Sequence, residues 1–325
     1  MMKKLITSIV FVGASLLAVA QQDAQFSQNM FGKLDYNPGY AGMDKAYCAS
    51  LIARDQWVNL PGNPETFLFN GDAYLPQIGG GAGISIYDDQ LGFDKTLEVK
   101  LSYSYHIVIG SGVLGVGPTL GFLQSSINGQ WIAPDGTSTA ANNLDDPLIP
   151  GGASSVTTYD IGLGAYYATP QGFYVGLSST HLSAPNVQGT GNLAKQYTLN
   201  VARHYYLMAG YTYNASPTWD IKPDLYVESD ASSTQEQIDC LAEYNKFIWF
   251  GLGYRVTDAA IAFLGVNYAF PNSKSGANLK IGYSYDFTTS EIKSYSSGSH
   301  ELMLQFCFRP IPTPKTQYHQ NVRYL

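Results

Sequence analysis

Residues 97–106, Leu-Glu-Val-Lys-Leu-Ser-Tyr-Ser-Tyr-His, alternate in polarity without a break. In an extended chain successive side chains point to opposite sides. Leu97, Val99, Leu101, Tyr103 and Tyr105 therefore share one face, and Glu98, Lys100, Ser102, Ser104 and His106 the other. Residues 280–287 repeat the pattern, with Ile281, Tyr283, Tyr285 and Phe287 against Lys280, Gly282, Ser284 and Asp286. Each ribbon has one greasy and one wet face. A soluble sandwich turns the greasy face to a core, whereas an outer-membrane barrel turns it to lipid and the wet face to a lumen.

The N-terminus favours the second solution. Lys3 and Lys4 precede an apolar run from Leu5 to Val19, and Ala18-Val19-Ala20 forms a small-x-small cleavage site. This reads as a signal peptide over residues 1–20. Gln, not Cys, stands at position 21, so no lipoprotein anchor is expected, and no later stretch is long and apolar enough for a helical span. A chain that enters the membrane without such a span does so as a barrel. Charged residues make up 13% of the 325, about half the share usual in soluble domains, while Tyr reaches 25 and Gly 33. Interfacial tyrosine girdles and glycine-rich walls account for both. The net charge of -7 argues against a nucleic-acid partner.

Strand-like runs are expected at 46–58, 65–74, 80–88, 95–109, 112–128, 157–169, 172–181, 203–214, 221–229, 235–245, 246–256, 258–270, 277–287 and 299–309. The fold class is thus all-β, a transmembrane antiparallel barrel of about 14 strands spanning 45–309. Residues 21–44 do not alternate and read as a short non-strand lead-in, placed inside or beneath the lumen because Phe26, Met30 and Phe31 recur at near-helical spacing. Residues 310–325 are a polar, proline-punctuated tail. Short turns at Gly110–Gly112 and Thr169–Gly172 contrast with the long links 129–156 and 182–202. Barrels keep short turns on the periplasmic side and long loops outside. Both termini are accordingly expected in the periplasm and the 129–156 link outside, where Trp131, Asp135, Asp145 and Asp146 are candidates for partner binding.

Chemistry-bearing motifs are sparse. Gly110, Gly112 and Gly115 match a nucleotide-binding glycine pattern but open no helix, so no phosphate cradle is expected. The histidines at 106, 181, 204, 300 and 319 show no metal-ligand spacing, and the pairs Asp88-Asp89 and Asp145-Asp146 read as solvated turns. Neither a catalytic constellation nor a cofactor is expected. Arg54, Glu98, Lys100, Asp286, Glu301 and Arg309 fall on the wet faces of their strands, either as paired charges filling the lumen or as a site for a plug or passenger. Closure makes the first and last strands neighbours, which brings Cys48 and Cys307 to one height on the lumen side. Simple proximity and a disulfide both remain open.

Four motifs carry a family likeness: AQFSQNMFGKLDYNPGYAG at 24–42, RDQWVNLPGNPETF at 54–67, WFGLGYRVTDA at 249–259 and LKIGYSYDFTTSEIKSYSSGSHELML at 279–304. Together they resemble the PorP/SprF family of Bacteroidetes outer-membrane proteins, over about Gln25 to Phe308. Gln25, Phe26, Ser27, Gln28, Tyr36, Asn37 and Pro38 match its N-terminal signature, and Arg54, Trp57, Pro61 and Pro64 its second block; Ala24 and Gly39 depart from it. The resemblance implies a non-enzymatic barrel of the type IX secretion and gliding motility system. It also implies partners: a secreted adhesin with a type B C-terminal domain, and periplasmic or lipoprotein parts of the apparatus. The rival reading is a diffusion channel or a transporter for a hydrophobic solute, with the N-terminal segment as a hatch.

Overall fold

The alternating segments close into one antiparallel barrel of 14 strands in the computed structural model. The structure describes residues 23–127, 131–132, 138–139, 154–184, 186–188 and 198–309. The expected signal peptide and tail, and Asp135, Asp145 and Asp146, lie outside them. The strands are β1 (Tyr47–Asp55), β2 (Glu65–Leu75), β3 (Gly80–Leu91), β4 (Asp94–Ile109), β5 (Gly112–Ile127), β6 (Ser154–Ala168) and β7 (Tyr174–Thr180). There follow β8 (His204–Gly210), β9 (Trp219–Ser229), β10 (Thr234–Tyr244), β11 (Ile248–Arg255), β12 (Ala259–Ala269), β13 (Asn278–Thr288) and β14 (Ser299–Phe308). Each pairs with the next, and β1 pairs with β14 from Tyr47↔Phe308 to Asp55↔His300.

The strand expected over 203–214 is interrupted. The ladder between β8 and β9 stops at Gly210↔Asp224 and resumes in the same register at Tyr213↔Ile221. Pro223 stands opposite the gap, and a proline has no N–H to give. The N–H of Tyr211 still donates to the Pro223 carbonyl, but that of Thr212 turns away to Gly172.

Polarity and burial follow the pleat. On β4, Leu101 is 61% exposed and its neighbour Ser102 only 5%. The outward face of β13 carries Ile281, Tyr283 and Phe287, all exposed. Links at one end, where Gly110–Ser111 and Thr169–Phe173 lie, are short. The opposite end carries the links after β1, β5, β7 and β13, which are the longest.

The lumen is filled from within by the lead-in. Asn29–Phe31 form a 3-10 turn, Lys33–Tyr36 a single helical turn (α1) and Pro38–Tyr40 a second 3-10 turn. Phe26, Leu34 and Tyr36 are buried, and Phe26 and Tyr36 join one core with the inward Ile52, Leu68, Tyr226 and Met303. The wall makes room by lacking side chains at the contact. A Cβ on Gly164 would stand 2.2 Å from Asn37 Oδ1, and one on Gly282 2.3 Å from Gln28 Oε1. The segment descends from the long-link end, where Asp23 meets His181 and His204, to the short-turn end, where the N–H of Gly42 donates to Asp72 Oδ2 before β1 begins. The described chain thus begins and ends at opposite mouths, because β14 finishes at the short-turn end.

Candidate functional site

Two polar clusters fasten the lead-in to the wall. The first is a clasp around Ser27. On β1, Arg54 donates through Nη1 to Ser27 Oγ (2.8 Å) and Glu301 Oε2 (3.0 Å), and through Nη2 to Asp286 Oδ2 (2.8 Å). From β11, Arg255 donates to Ser27 Oγ (2.9 Å), to Asp286 Oδ2 (3.0 Å) and to Asp258 Oδ2 (3.1 Å). The Ser27 hydroxyl lies 2.7 Å from Asp286 Oδ1, and the Ser27 carbonyl accepts from Gln237 Nε2. Glu301 takes the backbone N–H groups of Ser27 and Gln28, each at 2.7 Å. Arg54, Arg255, Asp286, Glu301 and Ser27 are all buried. Two cations face two fully buried anions, and five wall strands converge on one residue of the lead-in.

Further along, Asn37 performs a similar task with neutral groups. Its Nδ2 donates to the carbonyls of Ala165 (3.0 Å) and Leu177 (3.3 Å), and its Oδ1 accepts from the N–H of Gly39 (2.9 Å). These bonds satisfy a turn that the wall would otherwise leave dry. Lys33 lies 3.5 Å from the ring centre of Tyr174. Beside it, a cavity of about 350 Å³ opens between the lead-in and the wall at the short-turn end, lined by Phe31, Lys33, Tyr40, Lys222, Trp249 and Lys280 among others.

The second cluster sits where the lead-in starts. His181, just past β7, places Nδ1 3.0 Å from Asp160 Oδ1 and Nε2 3.1 Å from Asp23 Oδ2. His204, the first residue of β8, lies with Nδ1 3.8 Å from Asp23 Oδ2 and Nε2 4.0 Å from Glu228 Oε1. Tyr206 donates to Asp23 Oδ2 at 2.8 Å. Lys100 bridges Glu98 (3.0 Å) and Asp35 (2.7 Å). Burial opposes the charge on Asp23, but His204 and His181 outweigh it and hold its carboxyl well below the usual carboxylate range.

Comparison with known proteins fixes the family. The model of "Type IX secretion system membrane protein PorP/SprF" matches residues 18–306. The chain belongs to this family. The barrel architecture and that membership place this PorP/SprF protein in the outer membrane. No curated protein matches it. Solved structures with a similar barrel include the Ralstonia pickettii toluene transporter TbuX, at 14% identity and TM-score 0.45, covering 84% of this chain and 92% of that one. A Pseudomonas aeruginosa FadL homologue matches at 10% identity and TM-score 0.44, with 81% and 89% covered. The Acinetobacter baumannii protein Omp33 matches at 11% and 0.40, with 82% and 99% covered.

Of the residues that match the N-terminal signature, Gln25 is half-buried and the other six are enclosed by the lumen. Phe26, Ser27, Gln28, Tyr36, Asn37 and Pro38 are buried. The second block forms the link after β1, where Gln56 N–H donates to the Pro64 carbonyl and Trp57 N–H to Ser299 Oγ. Of the charges expected in the lumen, Arg54, Asp286 and Glu301 meet in the clasp, while Glu98 and Lys100 belong to the second cluster. Arg309 stands exposed just beyond β14. Trp131 pairs with Thr139 in a two-residue ladder. Cys48 and Cys307 are directly opposed, with Cα atoms 4.1 Å apart and a disulfide between them, while Cys240 is free and exposed. Arg255 went unnoticed in the sequence, although alternation with Trp249, Gly251 and Gly253 puts it on the inner face. The pairing of His181 with His204 had no local signal, since neighbouring strands, not spacing along one helix, bring them together.

Proposed function

We propose that this barrel is a plugged, non-enzymatic partner-binding component of type IX secretion, which binds, exports or retains a cognate secreted adhesin bearing a type B C-terminal domain. The observation that supports this reading over a channel is the lumen, occupied from Asp23 to Asp44 and clasped at Ser27 by buried charges on four strands and the Gln237 amide on a fifth. A hatch that opens for solute would have to break that clasp on each passage, and a buried pair broken on one side costs about 3–5 kcal/mol. Recognition falls to the links at the long-link end, with the 129–156 link and its Trp131 the first candidate, because long loops on a rigid frame commonly carry binding. Periplasmic or lipoprotein components of the apparatus would meet the opposite, short-turn end.

Deleting residues 132–150 should leave assembly of the barrel intact and lower the amount of secreted protein held at the cell surface. Unchanged surface display would move the site to the lumen or the short-turn end. In planar bilayers the folded protein should pass no ions; steady conductance would instead favour a diffusion channel.

A further inference from the structure

We propose that Asp23, His181 and His204 form a site for a divalent transition metal of the zinc class, which staples the outer end of the lead-in to the barrel wall. The three donor atoms, one carboxylate oxygen and two imidazole nitrogens, all lie within 4.8 Å of one another. Asp23 Oδ2 stands 3.1 Å from His181 Nε2 and 3.8 Å from His204 Nδ1. Zinc bonds of about 2.0–2.2 Å in a tetrahedron set neighbouring donors roughly 3.3–3.5 Å apart, so the two Asp23 pairs need small shifts and the two imidazole nitrogens must close from a separation within 4.8 Å. Two imidazoles select zinc and its neighbours over calcium or magnesium, which require shells of oxygen.

The surroundings carry the marks of a ligand set. His181 Nδ1 is held by Asp160 at 3.0 Å. That contact fixes a proton on Nδ1 and leaves Nε2, which faces Asp23 Oδ2, as the nitrogen whose proton a metal would replace, the orienting arrangement that metal-bound histidines use. His204 is 1% exposed, and among the described residues its Nδ1 makes no hydrogen bond. Its Nε2 accepts from the Asp23 N–H. Loading a metal on Nδ1 moves the proton to Nε2, where Glu228 Oε1, also without a hydrogen bond, lies 4.0 Å away. Four carboxylates, Asp23, Glu98, Asp160 and Glu228, surround the two rings, and the nearby cation Lys100 is already shared with Asp35. A dication relieves this surplus of buried negative charge. The Asp23 side chain is 32% exposed, which leaves a path from the mouth and room for water as a fourth ligand.

The test uses the folded full-length barrel in detergent, without a histidine tag, stripped with EDTA and titrated with zinc and with cobalt. Wild type should bind one equivalent of each, and cobalt should give the strong visible absorption of a tetrahedral site. Asp23→Ala and His204→Ala should weaken binding at least tenfold, and Asp160→Asn, which loosens only the orientation of His181, by about 10–100-fold. His106→Ala, whose ring contacts the Ala41 carbonyl at the other end, should bind as wild type does. Absence of stoichiometric binding by wild type overturns the proposal whatever the variants do. Wild-type affinity in a His204→Ala protein that still shows the heat-modifiable mobility of a folded barrel overturns it as well.

Discussion

The two clusters that hold the lead-in differ in their charge balance. Around Ser27, Arg54 and Arg255 face Asp286 and Glu301, and nearly every polar atom has a partner; among the charged groups of the clasp only Arg54 Nε lacks one. Around Asp23, four carboxylates share one lysine and two imidazoles, and Glu98 Oε1, Asp160 Oδ2, Glu228 Oε1 and His204 Nδ1 make no hydrogen bond among the described residues. Both lie in the same lumen and both grip the same segment. A buried cluster that is balanced and bonded serves as a fixed joint, whereas one with surplus negative charge and unbonded carboxylate oxygens has the chemistry to hold a cation.

The largest effect is expected at the balanced joint. Arg255→Ala leaves Asp286 with one guanidinium instead of two and Gln237 Oε1 without its donor. Removing one member of such a buried set costs about 3–5 kcal/mol. The measurable result is release of the lead-in: limited proteolysis should cut within residues 23–44 of a barrel whose wall remains resistant. A lead-in as resistant as that of wild type would mean that the clasp is not what holds it.

Next in size is a test of the frame that gives both clusters their inward setting. Leu101→Arg puts a charge on the lipid face of β4, at a cost of about 2–4 kcal/mol near the midplane. From alternation alone Ser102→Arg is the harmless control, on the premise of a wet and roomy lumen. The filled lumen removes that premise: Ser102 is 5% exposed and bonded to Thr119, and Ser104 beside it reaches the Gly39 carbonyl. Both arginines should lower the urea midpoint in detergent, Leu101→Arg through lipid and Ser102→Arg through crowding. Lys95→Ala, at an exposed position paired only with the exposed Asp88, should change little.

That contrast marks what alternation could and could not reveal. Period-two polarity located the fourteen strands and the inner placement of Arg54, Glu98, Lys100, Asp286 and Glu301, because a strand fixes the side on which each residue stands. It also aligned Cys48 with Cys307, since closure adds one further constraint. What it leaves open is depth and partner. Ser27 and Asp286 are 259 positions apart, and their contact depends on the path of an irregular segment that has no period of its own. Arg255 was readable from its strand and overlooked, whereas His181 and His204 each sit at a strand end, where the alternation that would have placed them has just stopped or not yet begun.

A neutral counterpart to the clasp should give a smaller loss. Asn37→Ala removes two bonds to wall carbonyls and the acceptor for the Gly39 N–H. Leaving those buried groups unpaired costs about 1–3 kcal/mol. Hydrogen exchange should show this as faster exchange at Gly39 and its neighbours, with the Ser27 amide unchanged because its clasp is intact. Equal loosening at both places would mean that the lead-in docks as a single unit.

The smallest effect should have the opposite sign. Glu228 accepts from Tyr226 through Oε2, while Oε1 faces His204 without a bond, within reach of the Asp23 charge. In EDTA, Glu228→Gln keeps an oxygen for Tyr226 and removes one of the surplus carboxylates, which cost free energy to bury without a partner. The metal-free barrel should therefore gain stability, by roughly 1 kcal/mol or less, in urea unfolding. The same substitution at Glu301 removes a charge that Arg54 and two backbone N–H groups require, so Glu301→Gln should destabilise. Opposite signs at two glutamates of one lumen separate the unbalanced joint from the balanced one; a loss at both would mean that the carboxylates around His181 and His204 are already compensated.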